Sequence, residues 1–135
     1  MTLCDAGPLV ALIDADERDH ARCRAALPTL PGPLLTTWPC LAEAMYLLGR
    51  TGGHPAQEEL WSYVADGLLA LHTPGEGEWE RMRALMAQYR DTPMDLADAS
   101  LVVAAELLNL RRIFTLDSDF YVYRLHGAHA FEVVP

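Results

Sequence analysis

The segment Thr2-Leu3-Cys4-Asp5-Ala6-Gly7-Pro8-Leu9-Val10-Ala11-Leu12-Ile13 predicts a short strand, a tight turn and a helix. Thr2 to Cys4 lead into Asp5, and the Gly7-Pro8 pair opens the apolar run that follows. The same grammar recurs outward from this unit. Leu34-Leu35-Thr36 reads as a buried strand, with Thr37 capping a helix that ends near Gly49. Leu68 to Leu71 is a further strand, after which Gly75 and Gly77 lead into a helix from Glu78 to Arg90. Asp95 heads a long apolar helix to about Leu110, followed by a strand from Arg112 to Leu116, a turn with a short helix from Asp117 to Tyr123, and a last strand from Ala130 to Val134. Two more helices are expected, from Glu17 to Leu27 behind the caps in Asp14-Ala15-Asp16, and from Pro55 to Ala65 behind Gly52-Gly53. Trp79, Met82, Leu85, Met86 and Tyr89 recur at helical spacing, which marks a core-facing stripe. Short, uniformly apolar strands alternating with helices predict an α/β fold with a mainly parallel sheet covered on both faces.

The chain has 135 residues, 51% of them hydrophobic, enough for one core, so residues 1–135 are expected to form a single domain. No apolar run reaches the roughly 18 residues of a membrane span, and the N-terminus does not read as a signal peptide; a soluble, cytoplasmic protein is expected. Cys4, Cys23 and Cys40 are odd in number and lack metal-ligand spacing, which predicts buried, reduced thiols. The net charge is −9, and all ten basic residues are arginines. Without lysine there is no Walker lysine, no Schiff base and no lysine partner for a phosphoaspartate, which counts against a receiver-like or phosphatase domain. The acidic total argues against broad nucleic-acid coating, yet it does not exclude a nuclease whose acids are gathered around cations.

In a parallel sheet, ligands bind beyond the carboxyl ends of the strands. Asp5 and Asp117 each end an apolar strand there, while Glu43 and Asp98 lie in the first turns of helices among apolar neighbours, where a carboxylate needs a partner. Helix starts at the strand ends would point Asp5, Glu43, Asp98 and Asp117 into one crevice. Asp95 reads as the cap of its helix or as a further metal contact, and Asp119 as a surface or cap residue or a further ligand. Two carboxylates about 4 Å apart repel by roughly 4 kcal/mol at an effective dielectric of 20, so four need protons or cations among them. Hard oxygen donors select Mg²⁺ or Mn²⁺ over zinc, and the five histidines are too scattered to favour zinc. Carboxylate-held cations lower the pKa of bound water and stabilise a leaving oxygen, which fits phosphodiester hydrolysis.

The order and neighbours of these acids resemble the PIN-domain ribonucleases, especially the VapC-type toxins of toxin-antitoxin systems. The resemblance spans the chain and is carried by Leu3-Cys4-Asp5-Ala6-Gly7-Pro8-Leu9-Val10-Ala11-Leu12, by Thr36-Thr37-Trp38-Pro39 with Leu41-Ala42-Glu43-Ala44, by Met94-Asp95-Leu96-Ala97-Asp98-Ala99, and by Thr115-Leu116-Asp117-Ser118-Asp119-Phe120. It implies a three-layer α/β/α sandwich and a catalytic Mg²⁺ or Mn²⁺ site made by Asp5, Glu43, Asp98 and Asp117. It also implies cleavage of single-stranded RNA, a homodimer, and neutralisation by a small antitoxin protein. The family often has Thr or Ser after the first Asp where this chain has Ala6; Thr115 or Ser118 are the candidate replacements for that hydroxyl. The alternative is a noncatalytic or deactivated PIN-like binding module. The arginines available to phosphates are Arg50, Arg81, Arg83, Arg90, Arg111, Arg112 and Arg124.

Overall fold

A computed structural model describes all residues, 1–135. Five parallel strands form the central sheet: β1 (Thr2–Cys4), β2 (Leu34–Thr37), β3 (Leu69–His72), β4 (Arg112–Phe114) and β7 (Glu132–Val134), in the order β3-β2-β1-β4-β7. Two further strands, β5 (Arg124–Leu125) and β6 (His129–Ala130), form an antiparallel hairpin outside it. The helices are α1 (Ala6–Ile13), α2 (His20–Ala26), α3 (Trp38–Ala65), α4 (Glu78–Gln88) and α5 (Leu96–Leu108). The result is a three-layer α/β/α sandwich.

Alternation along the strands assigns each side chain to a layer. Leu3, Leu35 and Ile113 pack with α5 residues such as Leu101 and Val102 on one face. Their neighbours Cys4, Leu34 and Phe114 pack with Leu9, Leu41, Leu48 and Leu60 of α1 and α3 on the other. Burial on both faces explains why these strands read as continuous apolar runs. Cys4, Cys23 and Cys40 are buried and unpaired, as expected. No helix is long and apolar enough to cross a membrane.

Several boundaries differ from the sequence reading. Helix α2 starts at His20 rather than Glu17, because Asp14 Oδ1 accepts the Asp16 N–H at 3.0 Å and the chain turns locally instead of capping a helix. The break at Gly52-Gly53 is a kink within α3, where Gly53 adopts φ 65° and ψ −159°. The expected strand from Ala130 to Val134 is divided between the β5–β6 hairpin and β7. Trp79 leaves the predicted stripe of α4 and is exposed, whereas Leu85 is fully buried and Met82, Met86 and Tyr89 pack against the core.

The strand order locates the crevice. From β1 the chain moves outward through β2 and β3, then returns to the other side of β1 to form β4. The reversal lies between β1 and β4, and connections diverge there to leave an opening beyond the carboxyl ends. Asp5 directly follows β1, and Asp117 follows β4 by three residues.

Candidate metal centre

Asp5 is the cap of α1: its Oδ1 accepts the Ala6 N–H at 2.8 Å, and its Oδ2 accepts the Thr115 hydroxyl at 2.9 Å. The Thr115 hydroxyl also accepts the Asp117 N–H at 3.0 Å, so one side chain fixes both strand ends. Asp117 in turn caps the short 3-10 turn Ser118–Tyr121 by accepting the Asp119 N–H at 2.9 Å.

Asp98 stands at the third position of α5 in a reciprocal cap with Asp95. Asp95 Oδ1 accepts the Asp98 N–H at 2.8 Å, and Asp98 Oδ2 accepts the Asp95 N–H at 3.3 Å. The Tyr123 hydroxyl also donates to Asp98 Oδ2, at 3.1 Å. Tyr123 is buried against Tyr89 and Phe120, with ring centroids 5.1 Å away in each case, so its hydroxyl is held in place by packing.

These locks bring Asp5, Asp98 and Asp117 together, with one oxygen of each lying within 4.8 Å of the others. Asp5 and Asp98 are only 8% and 7% exposed, and Asp117 is half-buried. A cleft of about 280 Å³ opens over them, and Glu43, Asp95, Gly7, Leu47 and Leu116 complete its walls. Glu43 faces the cleft but stands outside the tight group of three. Its side chain is exposed, as are those of Ala42, Tyr46 and Leu47, so the apolar neighbours in sequence do not bury it. Asp119 is not part of the cleft wall.

Five carboxylates therefore line one cleft, and no basic residue does. At an effective dielectric of 20, a pair near this separation repels by roughly 3–4 kcal/mol. Three of these acids are shifted upward. Burial, with Asp95 next in importance, pushes the Asp98 carboxyl up to about 7. Burial also raises Asp5, against the opposing pull of its Thr115 and Ala6 hydrogen bonds. Glu43 is raised by desolvation and then by Asp5, Asp95 and Asp117. A group of converging oxygen donors, free of nitrogen and sulfur ligands, suits a hard divalent cation.

Sequence reasoning missed Tyr123, which pattern could not connect to Asp98. It left Thr115 and Ser118 as equal candidates for the missing hydroxyl; Thr115 bonds Asp5, and Ser118 is exposed.

No family model matches the sequence. The chain is, however, 31% identical over 134 residues to Ribonuclease VapC26 of Mycobacterium tuberculosis, covering 98% of this chain and 99% of that protein. The chain belongs to the VapC family of PIN-domain ribonuclease toxins. The fold agrees: VapC20 of Mycobacterium tuberculosis, described as a sarcin-ricin loop cleaving toxin, superposes with a TM-score of 0.84 over the full length of both chains at 17% identity. A chain from a toxin-antitoxin complex of Klebsiella pneumoniae matches with a TM-score of 0.66 at 21% identity, over 89% of this VapC chain and 90% of its own length.

Proposed function

We propose that this VapC protein is a single-domain, metal-dependent endoribonuclease, the toxin of a toxin-antitoxin pair, with Asp5, Asp98 and Asp117 as metal ligands and Glu43 completing the site. The observation that carries this reading is the cleft itself: five carboxylates and no basic side chain, at the reversal point of the VapC fold. The donor set fits Mg²⁺ or Mn²⁺. When bound there, such a cation supplies an activated water near neutral pH and stabilises charge on the leaving oxygen.

The chain's own residues prepare this. Thr115 orients the Asp5 carboxylate and spaces it from Asp117, and Tyr123 orients Asp98 and favours its ionised form. Glu43 is positioned at the cleft wall as a further ligand or as an acceptor for a proton from water. Asp95 serves chiefly as the cap of α5. Ala6 removes a hydroxyl common in the family, which would favour a noncatalytic module. The Thr115 hydroxyl on Asp5 argues for the active enzyme instead.

We assign the protein a cytoplasmic RNA substrate, a homodimeric state and a small antitoxin partner. An arginine or lysine of the antitoxin projecting into the acidic cleft would compete with metal, since guanidinium binds carboxylate pairs in a bidentate way. The test is incubation of the purified protein with a panel of single-stranded and structured RNAs, with Mn²⁺ and with EDTA. Cleavage only with the metal is expected. Intact RNA under both conditions would favour the noncatalytic module.

A further inference from the structure

On its Asp117 side the acidic cleft adjoins a second depression of about 100 Å³, whose walls include Arg22, Ser118, Tyr121 and Pro135. Leu116 and Asp117 belong to both concavities, so the two adjoin. Arg22 is the only basic residue lining either part. Its side chain is 60% exposed, and its contact with Asp19 is a surface pair at 3.7 Å, which solvent screens and a phosphate can displace. Tyr121 is 63% exposed and lines the same depression.

The α3 wall of the acidic cleft carries the same combination. Helix α3 presents Glu43, Tyr46, Leu47 and Arg50 at helical spacing, and Glu43 and Leu47 line the acidic cleft. Tyr46 is 63% exposed, with the Arg50 guanidinium 5.8 Å from its ring centroid. Many of the other arginines are engaged elsewhere: Arg81 with Glu106, Arg112 with Glu132, and Arg111 and Arg124 with backbone carbonyls. A chain of net charge −9 thus keeps an arginine and an open aromatic ring at two places beside its acidic cleft.

We infer that the Arg22–Tyr121 and Arg50–Tyr46 sets seat the nucleotides on either side of the cleaved phosphodiester. The RNA crosses the metal centre as a single strand, its bases on the tyrosine rings and its phosphates at the arginines. Splayed bases stacked on aromatic side chains are the usual mode of single-strand recognition, and a duplex would hide those faces. This rests on the nuclease reading given above, but it makes a separate claim about binding.

The test measures binding of a fluorescently labelled 12-nucleotide single-stranded RNA in Mg²⁺, in an Asp98→Asn parent that does not consume it, over a range of salt. Arg22→Gln is expected to weaken binding about tenfold at low salt and to reduce the slope of log Kd against log salt by about 0.7, the share of one phosphate contact to a single strand. Arg22→Lys should keep that slope, which a merely structural role would not require. Tyr121→Leu is expected to cost about tenfold, with Tyr121→Phe restoring affinity because the ring remains. The same changes at Arg50 and Tyr46 should act alike, and Arg24→Gln, exposed on α2 and lining neither concavity, should change nothing. Parental affinity and slope in both Arg22→Gln and Tyr121→Leu, or no RNA binding by the parent, would overturn the inference; a protein partner would then be the alternative use of the open tyrosines. Wild-type cleavage in Mn²⁺ is read alongside. Binding through Arg22 and Tyr121 without cleavage would refute the nuclease and leave the binding track, whereas cleavage indifferent to both residues would do the reverse.

Discussion

Thr115 donates its hydroxyl to Asp5 Oδ2 at 2.9 Å, joining residues 110 positions apart at the ends of adjacent strands. Because the Thr115 hydroxyl oxygen also accepts the Asp117 N–H, Thr115→Val disturbs two of the three clustered acids without adding volume. Losing a partner that orients a metal ligand costs about 10–100-fold in metal affinity or activity. Titration with Mn²⁺, followed by cleavage assays, should show that loss in Thr115→Val and recovery in Thr115→Ser. Wild-type Mn²⁺ affinity in the valine variant would mean that the hydroxyl plays no part in the site.

The acidic cleft predicts an unusual pH dependence for the metal-free protein. Asp98 is raised to about 7, so from its ordinary value near 3.8 up to about pH 7 the native state holds more protons than the unfolded chain. Stability must then fall as pH rises through that window. The raised Asp5 and Glu43 act in the same direction. The lowered Glu78 and Glu106 act oppositely, below their ordinary value of 4.5. A higher Tm at pH 5 than at pH 8 in EDTA is expected, and saturating Mn²⁺ should remove the difference by favouring the ionised acids. A metal-free protein more stable at pH 8 would contradict the account.

Tyr123→Phe isolates one of these influences. The phenol donates to Asp98 and favours its charged form, so its removal raises the Asp98 carboxyl further. The acid limb of the pH profile for Mn²⁺ binding should move to higher pH, while the ring retains its edge-on contacts with Tyr89 and Phe120. An unmoved profile would remove Tyr123 from the electrostatics of the centre.

Asp95 separates folding from chemistry. Its carboxylate caps the Asp98 N–H, and losing such a cap costs about 1 kcal/mol. Denaturant unfolding should show that loss in Asp95→Ala and little of it in Asp95→Asn, which keeps an acceptor. Cleavage should fall less in either than in an Asp98 variant. A large loss of cleavage at unchanged stability would instead make Asp95 a metal ligand.

Legibility in the sequence followed the range of the interactions. Asp5 and Asp117 could be placed because each follows an apolar strand, Asp5 directly and Asp117 three residues on, and strand ends in parallel sheets are where ligands gather. Asp95 could be read as a cap because capping is local. Glu43 was placed at the right cleft for an incomplete reason: its neighbours are apolar in sequence, but Ala42, Tyr46 and Leu47 share its exposed surface. Tyr123 and Arg22 carried no local signal. One reaches Asp98 across 25 residues, and the other meets the Asp117 loop only because α2 packs beside it in the folded chain.

The most direct test of the metal centre is the cleavage rate of Asp5→Asn and Asp98→Asn at saturating Mn²⁺, with folding verified by unchanged circular dichroism. Both substitutions keep side-chain shape and remove a charged ligand. The account predicts that each folded variant falls to the rate of wild-type protein in EDTA. Wild-type cleavage by either would contradict it.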